Sequence, residues 1–311
     1  MKKAYSLFVA ILTFITIFNI TAFAEEEQLL HLFYTDNEKP LTGVNFSLYY
    51  LGKASDGIID PDSKFSSYSC DFDVSDTEKI KTLAITLEAY VLRDKIEFLY
   101  SGKTDEKGFT DFGGNALSYG AYLVIGESHF QDEKHYFPEP VIIVLPYGDT
   151  STVILKPKFE LEDDEKEDFI SLTVLKAWEG DKASDRPNEI QVELLKDGEI
   201  IQTVTLDKNN SWKYVWENLP AENHWTVAEK TVAPGYKVSL SLTGKTYLIT
   251  NTKETTEEDT TLTPPTDEEP EIPETGMLMW PIPYLALFGL LMFIIGFVYY
   301  RKSEINNDTT K

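Results

Sequence analysis

Cysteine is nearly absent. Cys70 is the only one in 311 residues, so no disulfide can staple this chain internally. A lone thiol in an exported protein is either reactive or a partly buried bystander, and the burial habit of cysteine favours the bystander. Histidine is almost as scarce: His31, His129, His135 and His224 show no metal-ligand spacing, and neither a metal nor another cofactor is expected. Positive charge is short as well, with 28 Lys and Arg against 52 Asp and Glu, a formal net charge of -24. Such an acidic chain repels phosphate backbones, which excludes nucleic acid as a partner. No Ser/His/Asp, Cys/His or paired-carboxylate constellation stands out, so substrate turnover is not expected. Long apolar runs are confined to the two ends of the chain.

Both ends read as addresses. Residues 1–24 have the parts of a signal peptide: Lys2 and Lys3, an apolar core from Leu7 to Ile20, and the small-x-small ending Ala22-Phe23-Ala24. That ending places cleavage between Ala24 and Glu25 and disfavours the alternative of an uncleaved anchor. At the other end, residues 253–271 are Thr, Glu, Asp and Pro with almost no apolar side chain. Such a stretch cannot pack a core and reads as an extended stalk. At roughly 3 Å per residue it spans on the order of 60 Å. Residues 277–300 are apolar and long enough to cross a bilayer, and Arg301 and Lys302 open a tail, 301–311, suited to the cytoplasmic side. Between stalk and span lies Ile272-Pro273-Glu274-Thr275-Gly276.

Residues 25–160 read as one β-rich domain with an inserted helix, followed by an acidic connector at 161–168. In GVNFSLYYLG, Val44, Phe46, Leu48 and Tyr50 share one face. The period then changes. Over 75–95, Ile80, Leu83, Leu87, Tyr90 and Val91 form one apolar stripe, and Ser75 with Glu78 reads as a capping box. The helix carries no evident chemistry, and its plainest role is to cover an open sheet. GKTDEKGFTDFGG reads as a turn-rich hairpin, and AYLVIGES and PVIIVLP as strands.

Residues 169–252 hold the chemistry. Ile170, Leu172, Val174, Lys176 and Trp178 share one parity of an extended run, so Lys176 points the way of four apolar side chains. In WTVAE, Glu229 shares a face with Trp225 and Val227; in YLITN, Asn251 shares one with Tyr247 and Ile249. An amine buried among aromatics loses hydration of its charged form and becomes a nucleophile. A buried carboxyl is pushed the other way and can donate a hydrogen bond to an amide oxygen. Attack of Lys176 on the Asn251 carboxamide, with Glu229 polarising the carbonyl and moving protons, would expel ammonia and leave an isopeptide bond. The competing reading keeps all three at strand ends, snorkelling to water, with Lys176 and Glu229 as an ordinary ion pair. Asp197-Gly198 in KDGE is a strong two-residue hairpin signal. Trp212, Tyr214 and Trp216 alternate along one strand, either as core or as a carbohydrate platform, and core is favoured.

VLKAW, RPNEIQVELLKDGE, LDKNNSWKYVWENLP, WTVAEKTVAPGYK and YLITNT together resemble a Cna protein B-type domain over 169–252. The resemblance implies a prealbumin-like β-sandwich with a self-made Lys–Asn bond, the matching positions being Lys176, Asn251 and, as the catalytic acid, Glu229. Lys230 stands where that family often has threonine. More loosely, KPLTGVNFSLYYL, SGKTDEKGFTDF, GAYLVIGESH and the run from Tyr136 to Lys158 resemble the N-terminal domains of SpaA-type pilin-related surface proteins. There, a lysine in a V-x-V-Y-P-K motif is the polymerisation point. VILKPK at 153–158 matches in part and makes Lys158 the candidate pilin lysine, with a solvated linker strand as the alternative. The first strand offers no inward lysine, only His31, Phe33 and Tyr34 nearby, so no cross-link is expected in this half, although Glu127 falls where an acidic partner would sit. Finally, the order of Ile272–Gly276, apolar span and basic tail resembles a sortase sorting signal, LPXTG-like with isoleucine first. It implies cleavage between Thr275 and Gly276 and transfer to a peptidoglycan or pilin lysine amine, with membrane insertion through 277–300 beforehand. The expected fold class is mainly β: two tandem prealbumin/Ig-like sandwiches, the first with an inserted helix, flanked by signal peptide, stalk and transmembrane helix. The expected role is a wall-anchored structural and adhesive surface protein with an unidentified host or matrix ligand. A pilus subunit joined through Lys158 and an uncleaved single-pass membrane protein are the alternatives.

Overall fold

The computed structural model of this chain describes residues 27–163 and 168–254. The signal peptide, stalk, Ile272–Gly276 motif, apolar span and tail lie outside the described residues. Strands β1 (Glu27–Phe33), β2 (Thr35–Asp36), β3 (Lys39–Pro40), β4 (Asn45–Ser55) and β5 (Ile58–Pro61) lead into helix α1 (Thr77–Asp94). After it come β6 (Tyr100–Lys103), β7 (Phe109–Thr110), β8 (Ala116–Ser118), β9 (Gly120–Gly126), β10 (His129–Gln131), β11 (Lys134–Pro138), β12 (Val141–Leu145), β13 (Thr152–Leu155) and β14 (Phe159–Asp163). The later strands are β15 (Phe169–Glu179), β16 (Glu189–Lys196), β17 (Glu199–Asp207), β18 (Lys213–Pro220), β19 (Trp225–Glu229), β20 (Tyr236–Thr243) and β21 (Thr246–Lys253). The protein is mainly β, built as two tandem sandwiches with one helix inserted in the first.

In the first sandwich, a sheet ordered β13-β1-β7, with β8 also on β1, faces one ordered β12-β9-β4-β5, with β6 also on β4. Leu30 and Leu32 from one sheet meet Phe46, Leu48, Tyr122 and Val124 from the other in a shared core. Alternation in β4 sends Tyr49 and Leu51 to the opposite face, against α1. Every residue of β9 is buried because both faces of its sheet are covered, which is why AYLVI reads as a continuous apolar run.

Several local expectations need correction. The helix cap is Asp76, not Ser75: the Asp76 carboxylate accepts from the Lys79 amide at 2.9 Å. Ser75 is already held one turn earlier, its amide donating to Asp73 at 2.8 Å, so helical geometry starts later. GKTDEKGFTDFGG is not a hairpin. β6 ladders to β4 and β7 to β1, so the segment crosses between sheets through a turn tied by the Asp105 carboxylate. In β1 the inward parity is Gln28, Leu30 and Leu32, while His31 lies on the other face, edge-on to Phe109 at 5.2 Å between ring centres. Gln28, the inward polar residue, joins the Thr150 carbonyl and the Tyr147 amide. Glu127 is exposed and accepts from Asn45 at 2.8 Å. β14 pairs antiparallel with β11, so a strand occupies the first residues of the expected connector.

The second sandwich has sheets ordered β18-β15-β21-β20 and β17-β16-β19. Asp197 and Gly198, with φ of 50° and 80°, close the β16–β17 hairpin, a left-handed pair that aspartate tolerates and glycine adopts freely. Helix α1 covers its sheet as expected, but it also faces the second sandwich. Leu83, Leu87 and Val91 belong to one core that runs from Leu51 and Leu123 into Val227, Val238 and Leu240. The free edge of β20 is blunted there, since Val238 donates its amide to the Ser69 carbonyl at 2.7 Å and Leu240 donates to the Thr86 hydroxyl at 2.8 Å.

Candidate functional site: a buried amine, acid and amide

Lys176 and Asn251 reach the site from adjacent parallel strands. The β15–β21 register sets Lys176 opposite Ile249 and Trp178 opposite Asn251, so the amine and the amide are diagonal neighbours on one face. Glu229 ends β19 in the other sheet and faces them across the sandwich. The apolar parity of each strand carries its polar residue inward. Relative exposures are 8% for Lys176, 2% for Glu229 and 0% for Asn251, which excludes snorkelling to water.

Glu229 links the other two. Its Oε1 accepts from Asn251 Nδ2 at 3.0 Å, and its Oε2 lies 3.7 Å from Lys176 Nζ. The amine donates to the Ala177 carbonyl at 2.9 Å and the Ile249 carbonyl at 3.4 Å, and it sits 4.2 Å from the centre of the Trp178 ring. Trp212 and Tyr236 meet Trp178 edge-on, at 5.4 and 5.3 Å, and close an aromatic wall beside the amine. The aromatic residues here are packing, with Trp216 buried as well. Asn251 Oδ1 and Glu229 Oε2 are buried without a hydrogen-bond partner among the described residues.

Burial biases the protonation states. It lowers Lys176 to about 8, against the opposing pull of the Glu229 carboxylate. It raises Glu229 above the usual carboxyl range, opposed by the Lys176 charge and the Asn251 hydrogen bond. Both shifts move the pair from ammonium and carboxylate toward amine and acid. A neutral amine, a proton donor and a carboxamide in one dry site are the reactants and the catalyst for amide exchange.

The sequence did not reveal the outer support of this site. Tyr90 and Arg93 of α1 both donate to the Glu229 backbone carbonyl, at 3.4 and 3.0 Å. Tyr90 showed only as part of an apolar stripe, and nothing in the sequence singled out Arg93. Of the other candidate positions, Lys158 is exposed. Cys70 is buried, and burial pushes its thiol up to about 12, so it is not a thiolate at neutral pH. Ala24, Glu25 and the Ile272–Gly276 motif lie outside the described residues.

Comparison with known proteins bears on the same stretch. The sequence profile of the Cna protein B-type domain matches residues 172–252. The collagen adhesin of Staphylococcus aureus is 28% identical over 192 residues, 59% of this chain and 13% of the adhesin, so the chain spans a small part of that relative. A single B repeat unit of the collagen-binding surface protein of Staphylococcus aureus aligns over 74% of this chain and 98% of its own, with 17% identity and a TM-score of 0.27. The shaft pilin SpaA of Lactobacillus rhamnosus GG aligns over 74% and 98%, with 13% identity and a TM-score of 0.26. The segment that gathers Lys176, Glu229 and Asn251 is a Cna protein B-type domain.

Proposed function

We propose that this chain is a cell-surface structural and adhesive protein whose second sandwich staples itself through a Lys176–Asn251 isopeptide bond. The observation that carries this reading is the Glu229 carboxyl, buried at 2% exposure and in contact with both the amine and the amide. The Lys176 ammonium passes a proton to Glu229, leaving a neutral amine beside a neutral acid. The carboxamide turns over about its last torsion, which is broad, and Oδ1 receives a hydrogen bond from the acid. Nζ attacks the amide carbon, the bond from that carbon to Nδ2 breaks, and one proton of the amine travels through Glu229 to the departing nitrogen, which leaves as ammonia. One amide replaces another and ammonia leaves, so no oxidant or cofactor is consumed. The reaction happens once per molecule, and the chain is not a turnover enzyme. The bond would join β15 to β21 and close a loop of about 75 residues, so neither strand can be peeled away without breaking a covalent bond.

Export by residues 1–24, display on the 253–271 stalk and sortase-dependent anchoring at Thr275 complete the proposal. They rest on the sequence order of charge, apolar run and motif. The adhesive role follows the collagen adhesin to which the chain is similar. A pilus subunit is the second reading, favoured by the exposed Lys158. The test is the intact mass of a protein spanning residues 27–254. The expected result is a deficit of one ammonia, absent from Lys176→Ala, Asn251→Ala and Glu229→Ala; an unmodified parent refutes the staple.

A further inference from the structure

We propose that helix α1 is a positioning element for the cross-linking reaction of the second sandwich, with Arg93 and Thr86 as its positioning residues. The inference rests on the isopeptide reading above and extends it to the other half of the chain. β19 and β20 follow one another in sequence but belong to different sheets, so the sandwich is open along the side where they lie. That side carries Glu229, and α1 fills it. The Glu229 carbonyl receives two donors from the helix, Arg93 Nη1 at 3.0 Å and the Tyr90 hydroxyl at 3.4 Å. The Thr86 hydroxyl accepts from Leu240 on β20 at 2.8 Å and donates to the Thr82 carbonyl at 2.6 Å. The helix therefore holds the backbone on both lips of the opening, one of them at the residue that bears the acid.

The clamp is itself braced. Asp94 holds the Arg93 guanidinium at 2.8 and 2.9 Å and accepts from the Tyr68 hydroxyl at 2.7 Å. Tyr68 stacks on Tyr90 at 5.0 Å, and the guanidinium lies 4.5 Å from the centre of the Tyr90 ring. The seam left between Thr86, Ala89, Tyr90, Glu229 and Ile249 is about 10 Å³, at the lower limit of the space one water needs. A dry seam matters chemically, because water reaching Glu229 would restore the ionised pair and leave no free amine. The first sandwich also precedes the second in the chain, so its helix is made before β19 and β20 during synthesis.

None of this is required of a helix that only covers apolar surface, and the two roles separate by experiment. Proteins spanning residues 27–254 are made in an isotope-pulsed synthesis, and the loss of ammonia is followed by intact mass over time. Arg93→Met keeps the apolar stem and deletes the donor; Arg93→Lys keeps a donor; Thr86→Val deletes the acceptor at nearly constant shape. The expected result is a slowing on the order of tenfold in Arg93→Met, as for losing one charge-assisted hydrogen bond. Arg93→Lys should restore most of the rate, and Thr86→Val should slow it too, all in proteins that still melt cooperatively. If Arg93→Met does not melt cooperatively, Thr86→Val decides by the same criterion. Parental rates in Arg93→Met and Thr86→Val, or in Thr86→Val alone where Arg93→Met does not fold, overturn the inference and leave the staple standing. A parent that never loses ammonia removes the staple first, and the inference with it.

Discussion

Replacing Lys176 with methionine should cost the protein its staple while leaving the interior apolar and filled. Methionine matches most of the lysine stem, and Glu229, whose carboxyl burial pushes above the usual range, can still accept from Asn251. The loss is then chiefly the loop constraint on the unfolded chain. For a loop of about 75 residues, chain entropy gives about 4.5 kcal/mol at room temperature. In a folded unit of this size each kcal/mol moves the melting midpoint by about 2–4 °C, so the expected fall is roughly 9–18 °C. Thermal melts of the parent and Lys176→Met over residues 27–254 measure it. Lys176→Met/Asn251→Ala should fall little further than the larger single effect, because the bond can be lost only once. A midpoint within about 2 °C of a parent that carries the ammonia deficit would refute the loop-entropy reasoning.

Three further outcomes follow from the same structure. The rate of ammonia loss should be bell-shaped in pH, since the pair reacts only with one shared proton; acid adds a second and alkali removes the last, each limb falling about tenfold per pH unit. A rate flat across pH would contradict a proton-sharing pair. Glu88, buried on α1 with His224 Nε2 3.9 Å away, is raised from 4.5 to about 8 by burial and then by Glu160. The unfolded chain releases that proton near 4.5 and the folded one holds it, so stability falls as pH rises between those values, by up to roughly 1.4 kcal/mol per unit. Glu88→Gln should therefore melt like the parent at pH 4 and higher than it at pH 8, and equal midpoints at both would contradict the burial of a neutral acid. If the chain is a pilus subunit, high-molecular-weight ladders from the intact surface should vanish in Lys158→Ala; ladders that persist assign polymerisation elsewhere.

How much of this was legible beforehand depends on what alternation can encode. Period-2 parity placed Lys176, Glu229 and Asn251 inward, and the structure buries all three. Parity says which face a side chain takes, not how far it stands from another strand, so the meeting at Glu229 needed the parallel β15–β21 register. Asp197-Gly198 was equally readable, because a left-handed pair leaves few residue choices. The α1 stripe was visible, but Thr86, Glu88 and Ala89 beside it are buried too, and they mark a second contact face that amphipathic spacing around Leu83 and Leu87 does not show. The cap slipped from Ser75 to Asp76 because two acceptors compete and the earlier turn claims the serine amide. The β6–β7 turn looked like a hairpin because turn residues report chain reversal, not which sheet receives each arm.

Peptide mapping of the folded protein shows whether Lys176 and Asn251 are joined. The expected result is a branched peptide in which Lys176 Nζ is acylated by the side chain of residue 251, lighter than its two components by one ammonia. Separate linear peptides, with an unmodified Lys176 and an intact Asn251 carboxamide, would contradict it.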